Sequence, residues 1–509
     1  MILGACWGTN APAQAPLSAI QWLRDPPLSA ERGTYALTPP VSSENAISVR
    51  ALDALRPEAV GLYPAARVGL PGQIWGPSNA GELTRAIAAL PDDTLPALRE
   101  LAYRLLLAEF EAPLPSISER EGPGQYLQAR VDRLVAFGAL DQAAALLDTL
   151  EAEDPALRLA RFRIALLLGD EATACATLLR PGPTVSDAAA LIYCHARAGD
   201  WARAEGELAS ADERGLIHPY SVELLEAFLH GESRLPGSAS LLPPPEGVPD
   251  PLTWRLLEAL GDPVTTLGLP LAYAHADLRG TIGWRAQIEA AERLVRSGAL
   301  SPNRLLGLYT DRRAAASGGI WERVRTVQRL DVALAGDDAD AVGRALVAAW
   351  PQIESGELEV PLASIYAEHV ARHALGGEAA ALAFRVGLLS EAYETVALGL
   401  APDSAPEDRF LAAIARGLDP LEAGSMPGET ARAVAVAFGP APADVIPADV
   451  MDRLAQGRLG QVLLETLDGL GGTADPRLLT EGLSILRHVG LEDIARRAAL
   501  QSLLLERRG

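Results

Sequence analysis

Three glycine-centred turns, spaced by 31 and 30 residues, limit the possible folds of this chain more than any other feature. Gly138, Gly169 and Gly199 each follow a segment rich in Leu or Ala, and the last two are followed directly by Asp. Glycine suits the left-handed position that ends a helix, and an acidic residue after it can cap the next helix. Two helices in a unit of this length are typical of a helical-hairpin solenoid.

The stretch AGDWARA at residues 198–204 resembles the turn and second-helix start of tetratricopeptide-like repeats. The resemblance is clear over residues 126–211 and loose elsewhere. The spacing is shorter than the usual 34 residues of such repeats, and most of the bulky Trp, Tyr and Pro consensus positions are missing. The resemblance therefore implies a divergent array, and the family's concave peptide-binding residues cannot be mapped onto this chain.

Composition favours helix throughout. Hydrophobic residues make up 49% of the chain, mainly as Ala and Leu, and aromatic residues only 5%. Ala and Leu are strong helix formers, whereas strands favour β-branched and aromatic residues. We therefore predict an all-α fold, an irregular α-solenoid of antiparallel helical hairpins with an extended N-terminal arm.

The charge of the chain argues against nucleic acid as a partner. The formal net charge is −22, and all 44 basic residues are arginine. An acidic surface repels nucleic acid and anionic lipid at long range. We expect one or more protein partners, no nucleic acid, no cofactor and no transmembrane helix.

Stretches rich in Pro and Gly divide the chain into six regions. Pro at the density found in LPGSASLLPPPEGVPDP cannot continue a helix. The predicted regions are residues 1–15 (the tail of a signal peptide or a flexible terminus), 16–78 (an extended arm), 79–234 (a helical-repeat domain), 235–251 (a linker), 252–400 (a second helical-repeat region) and 401–509 (a C-terminal helical region).

Local signals place several elements within this plan. Asn79 and Glu82 have the spacing of a capping box at the start of a helix. A second helix is predicted over residues 95–110, and Ile74 and Trp75 are apolar enough to bind the arm to the helical body. After the linker, helices are predicted at residues 252–260, 281–297, 302–316, 320–335, 339–350, 361–374, 378–390, 407–416 and 429–438.

The N-terminus contains two incomplete export signals. Residues 13–15 read Ala-Gln-Ala, the A-x-A pattern of a signal peptidase site, and Leu3 to Cys6 resembles a lipobox in which Cys6 would be lipidated. Contact with a membrane is expected only if Cys6 carries lipid. We expect a periplasmic or envelope-associated protein, with a cytoplasmic one as the alternative.

Two further cysteines lie 19 residues apart on what should be consecutive antiparallel helices. A disulfide between Cys175 and Cys194 is geometrically possible, and two buried thiols packing as small hydrophobes are the alternative. Export would favour the bridge, because disulfides persist in oxidising compartments.

Two clusters could carry chemistry. His369 and His373 have the i, i+4 spacing that can chelate a metal on one helix face, although no third ligand is signalled nearby, so no metal site is assigned. Arg312 and Arg313 precede a Gly-Gly turn, and Trp321 and Glu322 follow it. This second cluster could bind an anion or a carboxylate at a helix start, or could be a helix junction with internal ion pairs.

No phosphate-binding loop, nucleophile elbow or kinase signature is found, so we expect a protein that is not an enzyme. The sequence favours a protein-binding helical-repeat scaffold of the bacterial cell envelope, as part of an envelope assembly or of a surface machine such as the flagellum. The alternatives are a cytoplasmic adaptor and a cell-wall enzyme, either divergent or represented by its non-catalytic superhelical domain. A deep pocket gathering Arg312, Arg313, Glu322 and His373 would favour the enzyme.

Overall fold

A computed structural model describes residues 56–116, 124–150, 154–182, 185–230, 243–314, 316–471 and 475–505. Within these ranges the chain is all-α, as predicted, with a single pair of two-residue strands. None of the helices in the described ranges combines the length and the apolar character needed to cross a membrane.

The described residues form 25 α-helices. In chain order they are α1 (Ala80–Ala89), α2 (Pro96–Leu107), α3 (Gln125–Ala136), α4 (Leu140–Asp148), α5 (Pro155–Leu168), α6 (Glu171–Leu178), α7 (Ala188–Arg197), α8 (Trp201–Glu213), α9 (Pro219–Leu229), α10 (Pro251–Leu260), α11 (Ala274–Asp277), α12 (Trp284–Arg296), α13 (Pro302–Asp311), α14 (Gly319–Leu334), α15 (Ala339–Glu354), α16 (Glu359–Val370), α17 (Gly377–Leu388), α18 (Tyr393–Leu398), α19 (Pro406–Ala415), α20 (Pro420–Ala423), α21 (Glu429–Ala437), α22 (Ala448–Ala455), α23 (Leu459–Leu470), α24 (Pro476–His488) and α25 (Glu492–Leu504).

Helices α3 to α9 pack largely in sequence, each against the next. Gly138, Gly169 and Gly199 all have positive φ, between 76° and 85°, and so reverse the chain between helices as the spacing predicts. Asp170 caps α6 through its side chain, whereas Asp200 stands at the N-cap of α8 without such a bond. This order of packing is compatible with the predicted hairpin array.

The part of the N-terminal arm that the structure describes is bound to the helical body. Ile74 and Trp75 are almost fully buried, and the Trp75 ring meets the rings of Phe110 and Tyr126 edge-on at 5.4 and 5.9 Å. The Gly460 N–H donates to the Ile74 carbonyl over 2.8 Å. The arm therefore contributes to the core, while residues 1–55, including Cys6, lie outside the described residues.

The first two helices begin as predicted, but the second ends early. At α1 the Asn79 side chain accepts from the Glu82 N–H and the Glu82 carboxylate accepts from the Asn79 N–H, which completes the capping box. Helix α2 stops at Leu107 instead of residue 110. The next two residues form strand β2 (Ala108–Glu109), which pairs in parallel with β1 (Tyr63–Pro64) of the arm. The prediction of helix over 108–110 was wrong because this partner strand is distant in sequence.

The C-terminal helices return to the N-terminal ones. Helix α23 contacts α1, and α25 contacts α2, α19, α21 and α24. The Ala97 N–H donates to the Gln501 side chain over 2.9 Å, and the Ser78 hydroxyl donates to the Gln461 side chain. One large core therefore contains residues from both ends of the described chain, and three smaller cores are built from residues 162–260, 284–389 and 446–485.

Each helix predicted between residues 252 and 438 has a counterpart in α10, α12–α17, α19 and α21. The short helices α11, α18 and α20 were not predicted. Residues 235–242 of the predicted linker fall outside the described residues, and α10 begins at Pro251 with Asp250 as its capping side chain.

Candidate functional site

A groove follows one face of α16. Three adjoining cavities of about 310, 160 and 270 Å³ form it, and neighbouring cavities share lining residues. Val360, Ser364 and Glu368 of α16 line it with the i, i+4, i+8 spacing of one helix side, and the other α16 residues in its walls are Glu359, Pro361, Ala363, Ile365, Ala367 and His369. We call this the α16 groove. Eight residues separate Val360 from Glu368, which corresponds to about 12 Å along a helix axis.

The opposite wall comes from α2 and from the turn between α12 and α13. Tyr103 of α2 is fully buried, and its hydroxyl donates to the Ser297 carbonyl over 3.1 Å. Gly298 has φ +74°, and a Cβ added there would lie 3.3 Å from the Tyr103 ring. Glycine at this position therefore suits both the turn conformation and its close approach to α2.

The three cavities differ in polarity. The middle cavity is mainly apolar, with walls contributed by Val295, Leu300, Pro302, Val360 and Pro361. The cavity at the N-terminal end of α16 has mixed charge, and its ionisable residues are Asp92, Asp93, Arg99, Arg293, Arg296, Glu357 and Glu359.

The cavity at the C-terminal end of α16 is acidic. Its ionisable residues are Glu368, His369 and Glu391, all exposed, and no arginine occurs among its described lining residues. Asn303, Ser364 and Ser390 add neutral polar groups, and the two serine hydroxyls donate to backbone carbonyls of their own turns.

A larger cavity of about 670 Å³ lies between α1, α3 and the start of α5. Residues 117–123 and 151–153, which are outside the described residues, adjoin it in sequence at Gly124 and Asp154. The α16 groove is therefore the better-defined candidate site.

The predicted histidine pair does not lie on one helix. Helix α16 ends at Val370, so His369 is in its last turn and His373 is in the turn that follows. The interpretation of a shared helix face was wrong, because the backbone leaves the helix between the two residues. The described ranges contain no group of three or more His, Cys, Asp or Glu side chains placed to hold a metal ion.

The predicted Arg312 cluster is a helix junction. Arg312 and Arg313 are exposed in the loop after α13, and Arg312 pairs with the neighbouring Asp311 at 3.0 Å. Trp321 instead packs on Trp284, with ring centroids 5.0 Å apart, and Glu322 pairs with Arg325 of its own helix. Neither these residues nor His373 line the α16 groove or the larger cavity.

A buried ion pair beside that junction was not predicted from the sequence. Arg323 binds both oxygens of Glu292 at 2.8 and 2.9 Å, and the Tyr309 hydroxyl donates to the same carboxylate over 2.6 Å. Burial raises the pKa of Tyr309, as does the nearby Glu292 carboxylate, so this hydroxyl stays protonated and remains a donor. The available signal was that Glu292 lies on the apolar face of its helix with Ile288 and Val295, where a charge needs a partner.

The two cysteines meet between α6 and α7. Cys175 and Cys194 are joined as a disulfide, with Cα atoms 5.1 Å apart, inside the core built from residues 162–260. Glu171 of α6 also pairs with Arg197 of α7 at 2.6 Å and with Arg255 of α10. A covalent bond and an ion-pair cluster thus connect the same helices.

In comparisons with known proteins, no family model, no curated protein and no solved structure matches this chain. The resemblance to tetratricopeptide-like repeats therefore rests on the sequence of residues 126–211 alone.

Proposed function

We propose that this chain is a protein-binding scaffold of the bacterial cell envelope. The α16 groove is the observation that carries the proposal. Its cavities follow one another along a helix face and alternate in polarity, which suits a polypeptide segment with both backbone polar groups and side chains. The middle cavity offers an apolar surface, and the flanking cavities offer groups that can bind a peptide backbone.

A groove variant tests binding directly. Ser364→Trp places a large ring between the middle and acidic cavities, and Val332→Trp is the matched control because Val332 is 73% exposed on α14, away from the groove. Full-length protein is immobilised and exposed to a native envelope fraction. We expect wild type and Val332→Trp to retain the same protein and Ser364→Trp to lose it. Equal retention by all three would refute the groove as the binding site.

The envelope location is supported by the Ala-Gln-Ala pattern at residues 13–15 and by the geometry of Cys175 and Cys194, because disulfides persist in oxidising compartments. Thiols are alkylated in acid-quenched cells, and the protein is then examined by mass spectrometry with and without reduction. We expect both cysteines to be labelled only after reduction. Labelling of both without reduction would favour the cytoplasmic adaptor.

A further inference from the structure

We infer that the α16 groove binds the C-terminal end of a partner polypeptide, with the terminal carboxylate beside Arg99 and an apolar last side chain in the middle cavity. This inference rests on the proposed function and specifies which part of the partner the groove takes. The occupant is thus a carboxyl-terminal segment of another protein, recognised by its chain end and its last side chain.

Arg99 of α2 lies where the N-terminal and middle cavities join, because it lines both. The residue is only 4% exposed, and the Phe137 ring covers its guanidinium, with 3.7 Å from Cζ to the ring centroid. Nη2 donates to the Asp92 carbonyl over 2.5 Å, whereas the buried Nη1 has no hydrogen-bond partner among the described residues. A buried charged donor without a partner is costly, so an acceptor placed here contributes more than one at an exposed arginine.

Arg293 of α12 adds a second cation to the N-terminal cavity. It donates to the carbonyls of Thr266 and Leu269, each over 3.0 Å, which are neutral acceptors rather than carboxylates. Burial lowers the pKa of both Arg99 and Arg293, and a neighbouring arginine adds to the effect in each case, although nearby aspartates oppose it. Both shifts have the direction expected where positive charge is incompletely balanced, which favours an anionic group in this cavity.

The acidic residues of the two cavities are already engaged. Their interactions are Asp92 with Arg133 at 2.7 Å, Glu357 with Arg296 at 3.5 Å, Glu100 with Arg497 at 2.6 Å, and Asp93, Glu359 and Glu391 with other groups of the chain. Nη1 of Arg99 is left without a described acceptor although these carboxylates line the same cavities. A partner's carboxylate therefore supplies the group that Arg99 lacks.

The N-terminal ends of two helices also meet at the N-terminal cavity. Pro96 lines it from the first turn of α2, and Val360 lines it from the first turn of α16. The N-cap residues of these helices are Leu95 and Leu358, and neither makes a capping bond through its side chain. The positive ends of two helix dipoles therefore add to the attraction that the arginines exert on an anion.

The middle cavity accounts for the apolar last side chain. It measures about 160 Å³, and a cavity of about 150 Å³ lined by apolar side chains holds one benzene-sized group. The lining residues that it shares with the N-terminal cavity are Pro96, Arg99, Arg296, Val360 and Pro361. In the last residue of a chain the side chain and the carboxylate branch from one Cα, so a single residue can fill the apolar cavity and place its carboxylate beside Arg99. An Asp or Glu within a segment carries its carboxylate on its only side chain and cannot do both.

Peptide pools test the inference on the full-length protein by fluorescence anisotropy. All pools are labelled at the N-terminus and randomised, among uncharged residues, upstream of a fixed last residue: Leu as a free acid, Leu as an amide, or Ser as a free acid. We expect the Leu acid pool to bind about ten-fold more tightly than either of the others, because it alone supplies both the charged acceptor and the apolar side chain. Salt at about 0.15 M, with a screening length of about 8 Å, limits repulsion by the net charge of −22.

Equal binding of the Leu acid and Leu amide pools, or no binding of any pool, would overturn the inference. It would also be overturned if an amidated pool with Glu at an internal position bound as tightly as the Leu acid pool, because the carboxylate would then come from a side chain.

Two variants locate the effect. Arg99→Met should abolish the preference for acid over amide, and Arg158→Met is the matched control, because Arg158 has the same 4% exposure but lies on α5, outside the groove. Val360→Trp fills the middle cavity and leaves Arg99 unchanged, so it should abolish the preference for Leu over Ser and keep the preference for acid over amide. This second variant decides the matter if Arg99→Met does not fold. A folded Arg99→Met protein that still prefers the acid, or a Val360→Trp protein that still prefers Leu, would refute the assignment to the groove.

The outcomes separate this inference from the proposed function. If the envelope partner is lost with Ser364→Trp but the Leu acid and Leu amide pools bind equally, the scaffold function stands and recognition of a chain end is wrong. Leu505 lines the N-terminal cavity, so residues 506–509 of this chain are a competing occupant. If the Leu acid pool binds only after their removal, or if sedimentation shows a dimer that Ser364→Trp dissociates, the occupant is this chain itself and the inference is wrong.

Discussion

Replacing Arg497 with Met should loosen the contact between the two ends of the chain. Arg497 of α25 donates to Glu100 of α2 over 2.6 Å and to Asp493 of its own helix over 2.7 Å. The Arg497 and Glu100 side chains are each only 16% exposed, whereas Asp493 is 54% exposed. The bond to Glu100 therefore dominates the energetic effect.

The magnitude follows from what remains after the change. Glu100 keeps Arg104, and Asp493 keeps the Tyr393 hydroxyl at 2.9 Å, so neither carboxylate is left alone. A hydrogen bond between charged groups contributes about 1.5–3 kcal/mol, and breaking a fully buried pair costs about 3–5 kcal/mol. We expect Arg497→Met to lower the local unfolding free energy by about 2–3 kcal/mol.

Native-state hydrogen exchange measures this effect without requiring the whole chain to unfold in one step. The expected loss corresponds to about 30- to 150-fold faster exchange in α2 and α25. Arg285→Met is the matched control, because Arg285 makes an exposed i, i+4 pair with Glu289, and such pairs are worth about 0.5 kcal/mol or less. If both variants exchange alike, the buried pair does not hold the ends together.

The pH dependence gives a second readout of the same pair. Burial alone would raise the pKa of Glu100, but Arg497 and Arg104 outweigh it and hold that pKa below its ordinary value. The stabilisation is thus complete above the ordinary glutamate pKa, about 4.3, and is lost as pH falls through the lower folded-state value. Arg497→Met should therefore reduce the acid sensitivity of exchange in α2.

Four further variants test the packing. The double Cys175→Ala, Cys194→Ala variant should lose about 3 kcal/mol, as expected for opening a 19-residue loop, and reductant should lower the thermal midpoint of wild type but not of the variant. Gly138→Ala should lower the free energy of unfolding in urea by about 3 kcal/mol, because φ at Gly138 is +76° and a Cβ there would lie 2.9 Å from two leucine side chains. Gly199→Ala is the control. It has φ +85° and no described atom within 4 Å of an added Cβ, so it should lower that free energy by only about 1–2 kcal/mol. Trp75→Ala should cost about 3–5 kcal/mol and increase proteolysis of the arm, and an unchanged digestion pattern would show that the arm is held elsewhere.

The sequence predicted the structure best where an element depends only on residues close to it in the chain. The capping box of Asn79 and Glu82 and the turn at Gly169 are set by residues within four positions, so pattern alone predicts them. The strand at Ala108 could not be predicted, because its partner at Tyr63 lies far away in the sequence.

The candidate site shows the same limit. The sequence left a binding site at Arg312 open as one of two interpretations, but the groove is formed by helices whose residues, such as Tyr103 and Ser364, are more than 200 positions apart. Each of these residues looks ordinary on its own helix. Only the packing of α2 against the α12–α13 turn and α16 makes them into a surface.

The meeting of α2 and α25 also sets the order in which this chain can mature. The bonded residues Ala97 and Gln501 are 404 positions apart, and ribosomes add about 5–20 residues per second. About 20 to 80 s therefore pass between the synthesis of α2 and that of α25, and during this time the apolar side chains of Leu98 and Leu101 lack their final cover. The contact between α2 and α25 is thus one of the last parts of the core that can form during synthesis.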